Sequence, residues 1–264
     1  MKILVVVKQV PDSTTVIRIG PDGKDIDRAG VKMVVNPFDE FAIEQAVRLR
    51  EARSDVESIT ALIVGPAQAS EALRTVLAVG ADDAIHLEDQ AFDQLDDLQT
   101  AALIAAVIKD GGYDLVLAGK QEIDLDSGQL GSALAELLDI PHAGVVTKLE
   151  FADDGKSFVA NRRIEGADEV VQVSLPALIT CEKGLGEMRY PSLPNLMKAK
   201  KKPVRKLTAA DVAGFAEATA GVGGSTMHTL EPPPERPPGK ILDGEPDEAV
   251  RELVRLLRAE AKVI

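Results

Sequence analysis

The residues that could do chemistry are crowded into one segment, Gly119 to Gly131, which reads GKQEIDLDSGQLG. The short apolar run from Asp114 to Gly119 predicts a buried strand. The run from Ser127 to Leu138 predicts a helix, because its apolar residues recur at the 3.6-residue period. The first turn of a helix carries unpaired N–H groups and the positive end of the helix dipole. The segment could therefore hold an anion, and we interpret it as a site for the phosphate and sugar of a nucleotide.

Two interpretations of this segment stay open on its residues alone. Gly128 and Gly131 lack a Cβ atom, so the backbone could approach a phosphate closely. However, the segment contains neither GxGxxG nor GxxxxGK[ST], the two standard phosphate motifs. An ordinary strand-to-helix turn, in which Ser127 is the N-cap, is the alternative.

The remaining polar side chains favour a binding protein over a catalyst. Glu122, Asp124 and Asp126 are close enough in sequence to suggest a metal ion, but hydrogen bonds within the loop and solvent exposure are favoured for them. Cys181 follows a predicted strand and is interpreted as a small core residue. The three histidines are far apart and have no metal-ligand spacing. No Ser–His–Asp order and no paired-carboxylate motif is found.

Composition excludes several classes of protein. The 264-residue chain has a formal net charge of −13, which argues against general binding to nucleic acids or anionic membranes. Aromatic residues make up 3% of the chain and Trp is absent, so stacking platforms for single-stranded nucleic acid are not expected. The single cysteine fits a reducing compartment. The N-terminal apolar run is too short for a signal peptide, so we expect a cytoplasmic protein.

The first half of the chain alternates strands and helices. Ile3 to Val7 is an all-apolar run typical of a strand buried on both faces, and residues 11–35 suggest a small β excursion after it. Strand and helix then alternate four times, which predicts a parallel sheet with right-handed crossovers. The predicted elements are a helix to about Arg53, a strand Ser58 to Val64, a helix Gln68 to Val79, a strand Ala84 to Leu87 and a helix Leu98 to Lys109.

The first of these helices has the clearest start signal. Asn36 is predicted as its N-cap and Pro37 as its first helical residue. Ala42, Ala46 and Leu49 lie on one side of it. Glu44 and Arg48 are predicted among its outward-facing groups.

The second half of the chain is β-rich and then irregular. Five short β-like runs are expected to extend the sheet antiparallel or to pack beside it: Gly144 to Thr147, Leu149 to Phe151, Ser157 to Arg163, Val170 to Leu175 and Ala177 to Thr180. Lys206 to about Ala218 suggests one short helix with Thr208 as a cap. We expect residues 1–220 to form the α/β domain and residues 221–264 to form an extended Pro-rich arm, including Pro237 and Pro238, with a last helix from Pro246 to Ala261.

A basic segment stands out in this acidic chain, Arg189 to Arg205, which reads RYPSLPNLMKAKKKPVR. Its apolar residues Leu193, Leu196 and Met197 lie among prolines, where no regular amphipathic face is expected. One interpretation is a solvated loop. The other is a docking loop whose rigid apolar knob is positioned by Pro191 and Pro194, with lysines that tune the encounter.

Taken together, these stretches resemble the β subunit of electron transfer flavoprotein, the small subunit or FixA type, over nearly the whole chain. The resemblance rests on KILVVVKQVPD from Lys2, NPFDEFAIEQAVRL from Asn36, VGPAQA from Val64, VGADDAIHL from Val79, GKQEID from Gly119 and RYPSLPNLMKAKKKP from Arg189. The family signature appears as RRIEGADEVVQVSLPALIT from Arg162 to Thr180. Ala167 stands where that signature often has a second Gly or an acidic residue.

The resemblance implies a flavodoxin-like, adenine nucleotide α-hydrolase-like sheet with helices on both faces, extra antiparallel strands and an extended C-terminal arm. It implies a heterodimer with an α subunit that carries most of the FAD site, and a structural AMP in this subunit. Carried over residue by residue, the nucleotide contacts are Val6, Asn36, Pro37, Phe38, Asp39, Val64, Gly119, Lys120, Gln121, Glu122, Ile123, Asp124, Asp126, Ser127, Gly128, Gln129 and Leu130. The phosphate would meet Gly128 to Leu130, where many members have polar Asn and Thr. A second FAD in place of AMP, as in bifurcating members that oxidise NADH, is the alternative.

The same resemblance implies an electron carrier and not an enzyme with its own acid, base or nucleophile. The segment at about 184–206 would be the recognition loop, and the partner-recognition residues would be Tyr190, Leu193, Pro194, Leu196 and Met197. Leu193 would be the anchor for a flavin dehydrogenase, such as an acyl-CoA dehydrogenase. Electrons would pass through FAD to a quinone oxidoreductase or similar acceptor, and the arm would wrap the α subunit. A universal-stress-type ATP-binding module is a further alternative.

Overall fold

The computed structural model describes residues 1–236 and 238–264, so Pro237 of the predicted arm lies outside the described residues. It divides into two compact units, Met1–His228 and Thr229–Ile264. The strands are β1 (Lys2–Val7), β2 (Gln9–Pro11), β3 (Met33–Val35), β4 (Ser58–Val64), β5 (Asp83–Leu87), β6 (Leu115–Gly119), β7 (His142–Phe151), β8 (Ser157–Ile164), β9 (Ala167–Ser174), β10 (Ala177–Cys181) and β11 (Val204–Leu207). The α-helices are α1 (Pro37–Ala52), α2 (Ser70–Val79), α3 (Asp97–Ile108), α4 (Leu130–Leu137), α5 (Leu193–Ala199), α6 (Phe215–Ala220) and α7 (Pro246–Ala259).

One nine-stranded sheet forms the centre of the first unit, in the order β11-β5-β4-β1-β6-β10-β7-β8-β9. The strands from β11 to β7 run parallel, and β8 and β9 extend the sheet antiparallel. Strands β2 and β3 form a separate antiparallel pair. Strand β3 lies in the predicted β excursion of residues 11–35, whereas β2 begins before it, at Gln9. The predicted α/β class is confirmed. Strands β7 and β10 were expected among the antiparallel or adjacent runs, but both run parallel to β6, and β10 lies between β6 and β7. The edge strand β11 was not predicted.

Helices cover both faces of the sheet, which confirms the predicted layers. Alternate side chains of β1 point to opposite faces, as in any strand. Ile3, Val5 and Val7 belong to one buried cluster with residues of α1 and α2. Leu4 and Val6 belong to a second cluster with residues of α3 and α4. An all-apolar strand is therefore required at β1, because both of its faces are buried.

The chain changes direction across the sheet at β1. From β1 it passes through α1 to β4, which pairs with β1 on one side. It later passes through α3, on the opposite face, to β6, which pairs with β1 on the other side. Such a reversal leaves a crevice at the carboxyl ends of the two strands, where ligands of open α/β sheets bind. We call this place the switch point.

The second unit contains one helix, α7, among its described residues. The predicted last helix is confirmed, although it ends at Ala259. Val250, Leu253 and Val254 are spaced at three and four residues and are exposed, so they form an apolar stripe along the helix. Across the described residues, no helix is long and apolar enough to cross a membrane.

Candidate functional site

The residues predicted to contact a nucleotide come from distant parts of the sequence and meet at the switch point. Val6 lies at the carboxyl end of β1, Val64 at that of β4 and Gly119 at that of β6. The start of α1, from Asn36 to Asp39, contacts the end of β6. Residues 120–129, which we call the nucleotide loop, leave β6 at this edge and lead into α4.

Asp39 ties the two strand ends together across the switch point. Its Oδ2 accepts a hydrogen bond from the backbone N–H of Lys8 at 2.7 Å, and its Oδ1 accepts one from the N–H of Gly119 at 2.9 Å. The fit is tight, because a Cβ atom at Gly119 would overlap Asp39 Oδ1 and lie 2.7 Å from Phe38 Cβ. Asp39 is therefore a buried clamp, and both of its carboxylate oxygens are engaged within the chain.

Asn36 has a different role from the one predicted. Helix α1 does begin at Pro37, but no side chain caps it. The Asn36 Nδ2 group instead donates to the carbonyl oxygen of Gln121 at 3.0 Å, and its Oδ1 accepts from the N–H of Ile123 at 3.3 Å. The buried amide thus holds the nucleotide loop against α1, and the predicted capping bond is wrong.

The loop carboxylates divide between surface contacts and burial. Asp126 accepts a hydrogen bond from the Gln121 side-chain amide, as loop hydrogen bonding predicts. Asp124 accepts one from Lys8 Nζ, outside the loop, at 3.0 Å. The expected solvent exposure is wrong for Glu122, which is only 5% exposed and whose Oε2 has no hydrogen-bond partner among the described residues. Burial and the nearby charge of Asp97 raise the pKa of Glu122.

The start of α4 differs from the prediction. The helix begins at Leu130 and not at Ser127, and no side chain caps it at Gln129. Ser127 instead hydrogen-bonds to Asp97, so its predicted N-cap role is wrong. Gly128 has a φ of 64°, a left-handed conformation that glycine adopts without strain. The result is a glycine turn that leads into uncapped N–H groups.

A cleft of about 370 Å³ lies beside the nucleotide loop. This volume is within the range of small-molecule pockets. The carboxylate of Asp96 in its wall is already engaged, because it accepts hydrogen bonds from the N–H groups of Gln99, Gly224 and Ser225. The lining residues are Asp96, Asp97, Leu98, Leu125, Ser127, Gln129, Gly223 and Ser225.

The basic segment forms a short helix, α5, which contradicts the expectation of no regular face. Ser192 Oγ accepts a hydrogen bond from the N–H of Asn195 at 3.3 Å, and Pro194 lies in the first turn. Leu193, Leu196 and Met197 are spaced at three and four residues and therefore share one side of the helix. Ser192 followed by proline in the first turn is a helix-start signal that the sequence analysis missed.

This side of α5 is exposed. Leu193 is 74% exposed and Met197 is 57% exposed, while Tyr190, just before the helix, is 99% exposed. Large apolar side chains in one exposed cluster commonly mark an interaction surface. We call Tyr190, Leu193, Leu196 and Met197 the exposed face.

Comparison with known proteins shows the family of this chain. The family described as "Electron transfer flavoprotein domain" matches residues 24–212. The chain is also 42% identical, over 100% of both sequences, to "Electron transfer flavoprotein subunit beta" of Bacillus subtilis. The chain belongs to the electron transfer flavoprotein β-subunit family.

Other relatives in this family carry the same name. The protein of Bradyrhizobium diazoefficiens is 39% identical and that of Arabidopsis thaliana, named as mitochondrial, is 37% identical, each over 100% of both chains. Family membership makes this chain a subunit of an electron carrier rather than a classical enzyme. In the part of the chain that the structure describes, no group of three His, Cys, Asp or Glu side chains could hold a metal ion.

Cys181 lies in the core of this family member, as predicted. It is fully buried on β10, and burial raises the pKa of its thiol, which disfavours the nucleophilic thiolate. Glu44 differs from the prediction, because it is buried and does not face solvent.

Asp39 gives the site a testable pH dependence. Burial raises the pKa of Asp39 to about 7 in the folded protein, against an ordinary value of about 4. Between these values the folded chain binds more protons than the unfolded chain, so the Asp39 contribution to the free energy of unfolding falls as pH rises. The fall is at most about 1.4 kcal/mol per pH unit. In the Asp39→Asn variant the side chain cannot titrate. The substitution also replaces one hydrogen-bond acceptor by a donor, which lowers the free energy of unfolding by about 1–3 kcal/mol.

We therefore expect Asp39→Asn to unfold at lower urea concentration than the wild type, with a larger deficit at pH 5 than at pH 8. Urea unfolding curves at the two pH values measure it. The same substitution at the exposed Asp153 is the control and should leave both midpoints unchanged. An Asp39→Asn deficit that is equal at pH 5 and pH 8 would contradict the predicted titration.

Proposed function

We propose that this chain is the β subunit of a heterodimeric electron transfer flavoprotein that binds a structural AMP. The complex would carry electrons through FAD from flavin dehydrogenases, such as acyl-CoA dehydrogenases, to a quinone oxidoreductase or similar acceptor. The observation that carries the nucleotide part is the meeting of the glycine turn at Gly128, the uncapped start of α4 and the carboxyl ends of β1 and β6. These features favour a phosphate group at the start of a helix.

The residues at the switch point fit a nucleotide mainly through the backbone. The side chains of Asn36 and Asp39 are engaged with residues 121–123 and with the strand ends, so contacts from the start of α1 would come from main-chain groups. Gly128 has no side chain and Leu130 has an apolar one, which also favours backbone N–H groups for the phosphate. Glu122 Oε2, which has no hydrogen-bond partner among the described residues, is an acceptor that a ligand hydroxyl or amino group would satisfy.

Two surfaces support the proposed partners. The apolar stripe of α7, in the second unit, is the kind of surface that packs against another chain, and we assign it to the α subunit. The exposed face of α5, with Leu193 as the anchor, is assigned to the flavin dehydrogenase. When bound, FAD supplies the redox chemistry, and the residues of this chain supply binding and position. A cytoplasmic location remains a prediction.

The decisive experiment is to count the nucleotides in the complex of this chain with its α subunit. The complex is denatured, and the released ligands are separated and quantified. One FAD and one AMP per heterodimer are expected. Two FAD and no AMP would reject the AMP assignment in favour of a redox nucleotide in this subunit. A chain that purifies alone and binds ATP would reject the electron-carrier role.

Gly128→Asp is expected to remove AMP from the complex. Asp is tolerated in the left-handed conformation of Gly128, so a negative charge is added beside the phosphate at modest backbone strain. We expect AMP content below about one tenth of the wild-type value, because repulsion and the loss of close backbone approach act together. Released nucleotide per complex is the measurement.

Gly128→Asn is the matched control, since it has nearly the same shape and left-handed tolerance but no charge. It should retain more AMP than Gly128→Asp, and the difference isolates the charge. Full AMP occupancy in Gly128→Asp would place the phosphate elsewhere. Equal loss in both variants would assign the effect to the added side chain and not to its charge.

A further inference from the structure

Helix α5 is too short to be stable without help. It has seven residues, whereas isolated helices of fewer than about 12 residues are marginal in water. Ala199 is the only buried residue within the helix, and the exposed face points to solvent. Burial of its own apolar side chains therefore does not hold the helix. Contacts at its two ends and with α2 must do so.

The first end is held by Arg189. Its Nε donates to Glu44 Oε2 at 3.0 Å and its Nη2 donates to Glu44 Oε1 at 2.9 Å, which is a bidentate pair. The Arg189 backbone N–H donates to the same carboxylate at 3.2 Å. The guanidinium also reaches Glu51, with Nη2–Oε2 at 3.0 Å. Both acidic partners lie on α1, so Arg189 fixes the chain just before α5 to the main body of the fold.

Glu44 holds Arg189 in place because its carboxylate is buried and both of its oxygens accept hydrogen bonds. Its side chain is 3% exposed, and Arg48 Nε also donates to it at 2.8 Å. Burial by itself would raise the pKa of Glu44, but the hydrogen bonds from Arg189 and Arg48 outweigh it and hold the pKa below its ordinary value. The carboxylate therefore stays charged at neutral pH. A buried charge of this kind is strongly disfavoured when one of its partners is removed.

The second end is held by Lys202. Its Nζ donates to the carbonyl oxygens of Leu77 at 2.8 Å and Ala81 at 2.5 Å, at the C-terminal end of α2. A cation is favoured there, since helix carbonyls and the negative end of the dipole lie at that end. The next residue, Pro203, accepts a hydrogen bond from the N–H of Ala84 at 3.0 Å, and β11 then pairs with β5. Lys202 thus has a structural role, unlike the encounter role predicted for the lysines of this segment.

We propose that Arg189 and Lys202 are positioning residues that hold α5 in its binding conformation before the partner arrives, so that they set the affinity of the exposed face for a flavin dehydrogenase. A preformed surface binds more tightly because less conformational freedom is lost on association. This inference rests on the proposed function of the exposed face.

The first test measures order in α5 directly, in the complex with the α subunit. Arg189→Gln and Lys202→Met each remove one of the two positioning residues, and we call these the anchor variants. Lys201→Met is the matched control, because Lys201 is exposed and lies one residue before Lys202. Amide hydrogen exchange of residues 190–199 should become at least tenfold faster in both anchor variants and should not change in Lys201→Met. Unchanged exchange in Arg189→Gln and Lys202→Met would overturn the proposal.

The second test measures binding through electron transfer from a flavin dehydrogenase. In both anchor variants, the KM for the complex should rise about three- to tenfold, with kcat and FAD content unchanged. Arg189→Lys keeps the charge and should recover part of the loss. In a Leu193→Ala background, Arg189→Gln should raise the KM by a smaller factor than in the wild type, because Arg189 acts through the exposed face.

The outcomes separate this inference from the function on which it rests. A raised KM in Leu193→Ala, with a wild-type KM in both anchor variants, would overturn the positioning role alone. A wild-type KM in Leu193→Ala would reject the recognition role of the exposed face, and the positioning role in binding with it. Loss of FAD together with faster exchange throughout the chain would show that the anchors maintain the whole fold and would also overturn the proposal.

Discussion

Leu193→Ala is expected to raise the concentration of the complex at which a flavin dehydrogenase is half-saturated by about thirtyfold. Leu193 is the most exposed leucine of the exposed face, and it stands at the start of a helix that is held at both ends. An apolar anchor that fills a partner pocket typically contributes about 2 kcal/mol, which corresponds to this factor. Steady-state electron transfer at varied concentrations of the complex is the measurement. FAD and AMP contents should stay at wild-type values, since Leu193 is not a residue of the switch-point site.

Leu137→Ala is the control for this experiment. It removes the same side chain from another exposed helical position, on α4, and should leave the half-saturating concentration unchanged. An unchanged value for Leu193→Ala would remove its anchor role. A fall in the maximal rate without any change in half-saturation would indicate an effect on the flavin and not on recognition.

Gly119→Ala is expected to destabilise the protein by about 3 kcal/mol and to lower its thermal midpoint by about 6–12 °C. The added Cβ would overlap Asp39 Oδ1 and lie 2.9 Å from the backbone carbon of Phe38, which cannot move as a flexible side chain can. Asp39 would have to withdraw, and the N–H group of Gly119 would then lose its acceptor. AMP content should fall in the same variant, because the nucleotide loop begins at this residue.

Gly221→Ala provides the matched control, since a Cβ atom there meets nothing within 4 Å. Its thermal midpoint should match that of the wild type within about 2 °C, as surface substitutions usually do. Thermal unfolding followed by circular dichroism measures both variants. A Gly119→Ala protein with a wild-type midpoint and full AMP content would show that the hydrogen bonds between Asp39 and the strand ends contribute little to stability or to nucleotide binding.

Local patterns in the sequence were enough to predict the layers of the fold. The all-apolar run of β1, the Asn36–Pro37 start of α1 and the repeated alternation of strand and helix each depend on residues near one another in the chain. Burial on both faces demands an apolar strand, and a helix start favours proline in its first turn. For the same reason, the family resemblance carried by the stretches at Gly119 and Arg189 could be recognised without a structure, and the family comparison confirms the family.

Tertiary structure alone decided what the polar side chains of Asp39, Glu44 and Arg189 do. Asp39 lies 80 residues before Gly119, and Glu44 lies 145 residues before Arg189, so no local pattern connects them. Charged residues are usually exposed, and the position of Glu44 along α1 therefore predicted that its side chain faces solvent. Its burial became possible only because Arg189 and Arg48 supply its hydrogen bonds. The helical form of α5 has the same origin: a seven-residue helix depends on partners from α1 and α2, which only the folded chain brings to its ends.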